Sequence, residues 1–408
     1  MGPLTGIRVL DLSRILAGPW ATQLLADLGA DVLKVERPGQ GDDTRQWGPP
    51  YLKDADGIDS SESAYFLAAN RGKRSLAIDF QHPDGADLIR RLSVQSHIFV
   101  ENFKVGGLAK VGLDFATLNG LNKALVYCSI TGYGQTGPYA HRAGYDAAIQ
   151  AQGGLMGITG EADDAPGGGP QKVGVAVADL MAGMYASVGI LAALRHAEAS
   201  GEGQHIDLAL FDTQVGWLAN QAMNYLIGGD VPQRRGTAHP NIVPYQVMPA
   251  SDGCFMLAVG NDAQFQRLCE VIEESALAKD PRFTRNADRV AHRIALVEIL
   301  TTKLKTRGVS HWLPRLEAAT VPCAAVNALD QVFADPQLQS RGMRIELPHP
   351  LSPALPMVAS PLRLSVTPVS YSKAPPQLGA DTRNVLAELL GLDAITLDRL
   401  QAVGAIGS

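Results

Sequence analysis

Cysteine is scarce in this chain and has no framework: Cys128, Cys254, Cys269 and Cys323 are scattered, with no Cys-x-x-Cys pair and no histidine at metal-ligand spacing. That excludes a disulfide scaffold, assigns no residue to a metal, and reads as reduced, mostly buried thiols. Excess positive charge is lacking too. With 35 Lys+Arg against 41 Asp+Glu the formal net charge is -6, which speaks against nucleic acid as a partner but leaves room for a local basic pocket around an anionic cofactor. No Gly-x-Gly-x-x-Gly follows the first predicted strand, and Gly72-Lys73-Arg74-Ser75 lacks the upstream glycine spacing of a P-loop. Aromatics make up 6%, and the four tryptophans are too dispersed to form a stacking surface. The opening Met-Gly-Pro-Leu-Thr-Gly-Ile-Arg has neither the apolar core of a signal peptide nor an arginine-rich amphipathic address, so a cytoplasmic location is expected. No internal repeat or low-complexity tract appears.

What is present is alternation. Ile7 to Leu12, Val32 to Val35, Leu76 to Ile78, His97 to Val100, Ala124 to Ile130 and His205 to Leu210 read as strands. Between the first five lie helical patterns at Pro19 to Leu28, Pro83 to Leu92 and Asp114 to Leu121. Strands separated by helices imply a parallel sheet covered on both faces, hence an α/β, Rossmann-like large domain over 1–227. A helix is expected over Asp212 to Tyr225. The turn-rich stretch 228–245 reads as a linker. A hairpin, Gln246 to Ala250 and Phe255 to Val259, opens a smaller α+β domain over 246–330. Residues 331–408 are expected to return, with apolar segments at Arg344 to Leu347 and Leu362 to Val366 and closing helices at Thr382 to Leu390 and Leu397 to Ala402.

One stretch stands apart. From Val173 to Leu194 the only ionisable acid or base besides the Tyr185 phenol is Asp179. A carboxylate in an apolar, glycine- and alanine-rich run is costly to bury, so it needs a structural partner or a chemical task. From Leu180 onward the run reads as a packed helix in which Ala182, Gly183 and Ala186 admit close approach of other backbone. Asp179 then sits at or near a helix N-terminus, where capping is the ordinary alternative to catalysis. A membrane span fits less well, because Asp179 and internal glycines interrupt the run.

Several local patterns then line up. They are Leu4-Thr5-Gly6-Ile7-Arg8-Val9-Leu10-Asp11, Ala17-Gly18-Pro19, the run Gly29 to Gly39, Asn70-Arg71-Gly72-Lys73-Arg74-Ser75, Val100-Glu101-Asn102-Phe103, Gly112-Leu113-Asp114, Gly132 to Pro138 and Gly144-Tyr145-Asp146. In this order and spacing, over nearly the whole chain, the sequence resembles the class III CoA-transferases (CaiB/BaiF family). The resemblance implies an interlocked homodimer of two intertwined rings, no metal, and coenzyme A entering as an acyl-CoA substrate. It implies that Asp179 is the nucleophile, carrying first an acyl anhydride and then a CoA thioester, with backbone N–H groups at its helix start stabilising the oxyanions. By the same resemblance Leu16 and Ala17 form the turn that meets the nucleotide and Arg37 faces its phosphates. Ile78 to Gln81, with Asn102, Phe103 and Lys104, surround adenine and ribose. Lys110 is a further phosphate-facing cation, and Arg142 to Tyr145, with Asp146, flank the pantetheine channel.

Two questions of substrate follow. Acyl-CoA racemases of the same superfamily place a histidine inside the Gly-x-Asp motif as one of two bases. Here that position is Tyr145, a poor base at an unperturbed pKa near 10, so acyl transfer is expected and an α-methylacyl-CoA racemase-like epimerase is the alternative. Arg235 to Val247 and Gly260 to Phe265 look most like the succinyl-CoA:glutarate branch, which implies free dicarboxylic acids as acceptors, with Arg235, His239 and Tyr245 holding the acid.

Overall fold

The computed structural model describes residues 2–407. By internal contacts the chain forms two units: Met1–Leu155, Val173–Ala222 and Leu338–Ser408 make the first, and Met156–Lys172 with Met223–Gln337 the second. The expected linker 228–245 and small domain 246–330 fall in the second unit, and the expected return segment divides at Leu338. The loop Met156–Lys172 goes with the second unit because it bonds to the arginine-rich stretch there. Gly236 N–H donates to the Gly160 carbonyl at 2.9 Å, and the Arg234 guanidinium to that of Gly157 at 3.0 Å.

The first unit holds a six-stranded sheet in the order Lys73–Ala77, Asp31–Glu36, Arg8–Asp11, Ile98–Glu101, Val126–Thr131, His205–Ala209. Every neighbouring pair is parallel. Counted in chain order this is 3-2-1-4-5-6, the doubly wound order, whose reversal lies between Arg8–Asp11 and Ile98–Glu101. Residues alternate between two cores. Val9, Val32, Ile98, Val100, Val126 and Cys128 pack under the helices Ala17–Asp27 and Val177–Ser200. Leu10, Leu33, Val35, Phe99 and Tyr127 face the helices Pro83–Val94, Thr382–Leu390 and Ala394–Ala402. The two-residue period of each strand is what serves both faces at once.

The Asp179 helix is 24 residues long and apolar enough to cross a membrane by length and composition. Its Ala178, Ala182, Ala186 and Ile190 are nevertheless buried in the first core. Gly183 is required by the contact with the Ala17–Asp27 helix: a Cβ there would stand 2.7 Å from the Ala17 carbonyl oxygen.

Local details differ from the sequence reading. The helix expected over Asp212 to Tyr225 is two, Leu210–Gly216 and Ala219–Gly228, broken where Ala219 takes φ 45°. Of the two apolar segments, Arg344 to Leu347 lies in the strand Arg344–His349, which pairs antiparallel with Ser352–Val358, and Leu362 to Val366 lies outside any strand. The hairpin Tyr51–Lys53 with Asp59–Ser63 was not expected, since its polar sequence has no strand-like periodicity. Cys128 and Cys269 are buried as expected, but Cys254 is exposed. The second unit carries a three-stranded sheet in which Cys254–Ala258 lies between Tyr245–Pro249 and Cys323–Ala325. Its core gathers Phe255, Phe265, Phe283 and Trp312.

Candidate active site

A cavity of about 530 Å³ opens at the carboxyl ends of the central strands, where a doubly wound sheet places its ligand. Residues at and after the ends of four neighbouring strands line it: the turn Arg14 to Ala17, Glu36 and Arg37 with Gln40 to Asp43, Ile78 to Gln81, and Asn102 to Val105. Arg142 to Tyr145 and Asp179 complete the wall. Of the expected residues, Leu16, Ala17, Arg37, Ile78, Gln81, Asn102, Phe103, Lys104, Arg142, Tyr145 and Asp179 meet in this one space.

Asp179 is not an N-cap. Ala176 occupies that position, and Asp179 is the third helical residue. The true capping acceptor comes from 33 residues upstream: Asp146 Oδ1 accepts from the Ala178 N–H at 2.7 Å and from the Asp179 N–H at 3.4 Å. Its Oδ2 accepts from Gln150 Nε2 at 2.6 Å. Asp146 therefore does not line the cavity but holds the start of the helix that does. Among the described residues no group donates to the Asp179 carboxyl. Burial, and then the Asp146 charge, push its pKa up to about 7.

The expected oxyanion donors are not at this helix start. Val177 N–H is taken by the Val175 carbonyl, Ala178 and Asp179 N–H by Asp146, and Leu180 N–H by Ala176. The helix Ala17–Asp27 begins without a side-chain cap, and its first residue lines the cavity. The N–H groups of Ala17 and Gly18 have no acceptor among the described residues, which is the usual state of a first helical turn left open toward a ligand.

The same lining carries cations. Arg37, Lys104 and Arg142 line the cavity, and among the described residues none has a carboxylate within ion-pair distance. The Arg142 guanidinium rests on the Tyr139 ring, 3.9 Å from its centroid. Such unpaired cations are the electrostatic provision for a phosphate-bearing ligand. Lys110 lies outside the lining, on the short helix Leu108–Val111. Asn102 is at the cavity but its amide is engaged, accepting from Arg14 N–H at 2.9 Å and donating to the Arg14 carbonyl at 2.6 Å.

Sequence reasoning missed the support of that turn. Ile15 sits at φ 70°, a conformation a β-branched residue adopts only when its surroundings impose it. Its N–H donates to Asp42 at 3.2 Å, and Asp42 pairs at 2.9 Å with Lys34, both side chains fully buried. A lysine inside the core strand Asp31–Glu36 was the available signal. Arg14 was missed as well. It pairs with Asp43 at 2.8 Å and lies over the Phe103 ring, 5.2 Å from its centroid.

Arg235, His239 and Tyr245 belong to the second unit. His239 packs against Tyr245, ring centroids 5.2 Å apart, and its Nδ1 accepts from Asn241 N–H at 3.1 Å. Burial, and then the nearby Arg293 charge, lower its pKa, so it is a neutral hydrogen-bonding group. Arg235 is exposed, with no ion-pair partner among the described residues.

A doubly wound sheet whose switch-point cavity is lined by unpaired cations and by a carboxyl with no donor is suited to an anionic ligand. The chain belongs to CoA-transferase family III, whose family model matches residues 4–382. It is 52% identical over 387 residues to a succinate–glutarate CoA-transferase of Agrobacterium fabrum, covering 95% of this chain and 96% of that one. To the human succinyl-CoA:glutarate CoA-transferase it is 40% identical over 404 residues, 99% of this chain and 90% of that one. Among solved structures it is similar to a CaiB/BaiF family protein from Brucella suis, with a TM-score of 0.83 at 48% identity over 95% of this chain and 99% of that one. The chain is thus a family III CoA-transferase.

Proposed function

We propose that the enzyme moves CoA from succinyl-CoA, or another dicarboxylyl-CoA, to a free dicarboxylic acid, with Asp179 as the nucleophile. One observation carries this reading: Asp179, whose carboxyl has no hydrogen-bond donor among the described residues, lines the same cavity as the unpaired cations Arg37, Lys104 and Arg142. Its carboxylate attacks the thioester carbonyl, forming a mixed anhydride and releasing CoA thiolate. The thiolate attacks the aspartyl carbonyl, expelling the first acid and leaving an enzyme–CoA thioester. The second acid's carboxylate attacks that thioester, and the returning thiolate then takes the new acyl group and restores Asp179. Each step exchanges one activated acyl group for another, so neither ATP nor a metal enters the balance. The N–H of Ala17, which lines the same cavity as Asp179 and has no acceptor among the described residues, is the donor we assign to the oxyanions. The names of the relatives support succinate and glutarate as the acids. Arg235, His239 and Tyr245 offer a guanidinium, a neutral imidazole and a phenol suited to a distal carboxylate.

The working form is proposed to be an interlocked homodimer in the cytoplasm, independent of membrane or nucleic acid. On the first unit, Met184, Tyr185 and Val188 of the Asp179 helix are exposed, and on the second Leu226 and Ile227 are 71% and 80% exposed. Apolar surface of that kind calls for cover. Sedimentation showing a monomer at micromolar concentration would remove the dimer. For the reaction, purified enzyme mixed with succinyl-CoA and a panel of free dicarboxylic acids should yield the matching CoA esters. Solvent deuterium uptake at the α-carbon with no new ester would instead establish a racemase.

A further inference from the structure

The strand Lys73–Ala77 is an edge of the parallel sheet. An edge strand leaves a row of N–H and C=O groups that must be covered. Here distant segments of the chain cover them. Ser75 N–H donates to Asp381 Oδ2 and the Ser75 carbonyl accepts from Asp381 N–H, both at 3.0 Å. Ala77 N–H donates to Thr382 Oγ1 at 3.0 Å. Beyond that point residues 405–407 take over. Gly407 N–H donates to the Ala77 carbonyl at 2.9 Å, Asp79 N–H donates to the Ala405 carbonyl at 3.0 Å, and Ile78 and Ile406 form an antiparallel bridge. Ala405 and Ile406 are buried, at 0% and 2% exposure.

These bonds end where the cavity begins, since Ile78 to Gln81 line it. Gly407 also lies close to Pro38, the neighbour of the lining residue Arg37. A Cβ placed on it would stand 2.8 Å from the Ala77 Cβ and 3.3 Å from the Pro38 Cβ; Pro38 follows Arg37, and Ala77 precedes Ile78. The consequences reach further along the wall. Phe80 packs edge-on against Phe103 at 5.1 Å between centroids, and Phe103 carries the Arg14 guanidinium on its face.

Resting on the CoA-transferase reading, we propose that residues 405–407 are a positioning element for the nucleotide half of acyl-CoA: they fix the turns at Arg37–Pro38 and Ile78–Gln81 relative to each other, with Gly407 as the spacer between them. They touch neither the thioester nor Asp179. Their effect is therefore confined to the part of the substrate that carries the nucleotide.

The test compares two substrates on the full-length enzyme: succinyl-CoA, and succinyl-pantetheine, which has the same thioester without the nucleotide. In Gly407→Val, KM for succinyl-CoA should rise about tenfold, a loss worth about 1.4 kcal/mol of binding. Its kcat should stay within about twofold, and kcat/KM for succinyl-pantetheine should not change. Free CoA binding by calorimetry should weaken in parallel, which reads the inference without turnover. Gly407→Ala, adding one methyl group, should show the same pattern more weakly. Equal losses on both thioesters, or an unchanged KM in folded Gly407→Val, would overturn the proposal. So would failure of both variants to fold, which would make the segment a folding element only. A wild-type enzyme that binds CoA but transfers nothing would instead overturn the transferase reading and leave the binding comparison intact.

Discussion

Two buried groups of carboxylates lie within the first unit, and they behave in opposite ways. Under the turn Ser13 to Ala17, Asp11, Glu36 and Asp42 are almost wholly buried, yet each is held below the usual carboxylate range. Burial alone would raise all three; Lys73, Lys34 and Arg45 outweigh it, with hydrogen bonds from Ser13, Thr22, Ser75 and Thr44. Asp179 is less buried than any of them, but its nearest charge is another carboxylate and nothing donates to it, so its pKa climbs to about 7. The difference is one of provision rather than depth. The first group is compensated because it holds a backbone in place, and a carboxyl left uncompensated is what the proposed attack of Asp179 on a substrate carbonyl requires.

The sharpest way to break this contrast is Asp179→Asn, which keeps the shape and removes the charge. CoA transfer should fall below detection, while stability at pH 8 should rise. The sign follows from the raised pKa: the folded state holds the proton more tightly than the unfolded chain, whose value is near 3.8. Ionisation thus weakens the wild-type fold as pH climbs through about 7. The gain in Tm of the variant should be full at pH 8 and vanish near pH 4. A variant less stable than wild type at pH 8 would show that Asp179 has a structural partner.

The opposite experiment strips compensation from the other group. Lys34→Met leaves Asp42 buried with only the Thr44 and Ile15 donors. Removing one partner of a buried pair costs about 3–5 kcal/mol, to be read from urea unfolding at pH 7. A loss below about 1 kcal/mol, the range of exposed pairs, would mean that water reaches Asp42.

The same contrast explains what could be read in the sequence. Asp179 was legible because its isolation in an apolar run is a local property, and the parallel sheet was legible because each strand carries its own periodicity. Gly183 and its alanine neighbours likewise announced a close helix contact. The Asp146 bond to Ala178 was illegible, since 32 residues separate the partners and Asp146 looked like another ligand of the cofactor. Lys34 was visible as a cation in a core strand, but nothing local named Asp42 as its counterion. The break at Ala219 has no glycine or proline to announce it, and Leu362 to Val366 carries a strand's composition without a partner to pair with. Pairings made by the fold, rather than by neighbours in the chain, were the part that sequence could not supply.

The smallest expected effect is the most informative about how Asp179 is tuned. Asp146 contributes in two ways that one substitution separates: an oxygen accepts the Ala178 N–H, and a charge opposes ionisation of Asp179. Asp146→Asn keeps an amide oxygen for that N–H and removes the charge at the cost of the Gln150 Nε2 bond to Oδ2, so the Ala178 bond at the helix start should survive. Burial, the larger cause of the shift, stays in place and only the second cause is withdrawn. The acid limb of the kcat/KM profile for succinyl-CoA, set by ionisation of Asp179 in the free enzyme, should therefore move from near 7 toward lower pH by about one unit, the ordinary size of a single neighbouring-charge effect. The rate above pH 8, where Asp179 is ionised in both proteins, should change little. A limb that stays put would assign the raised pKa to burial alone, and a uniform fall in rate at every pH would show that Asp146 acts only by holding the helix.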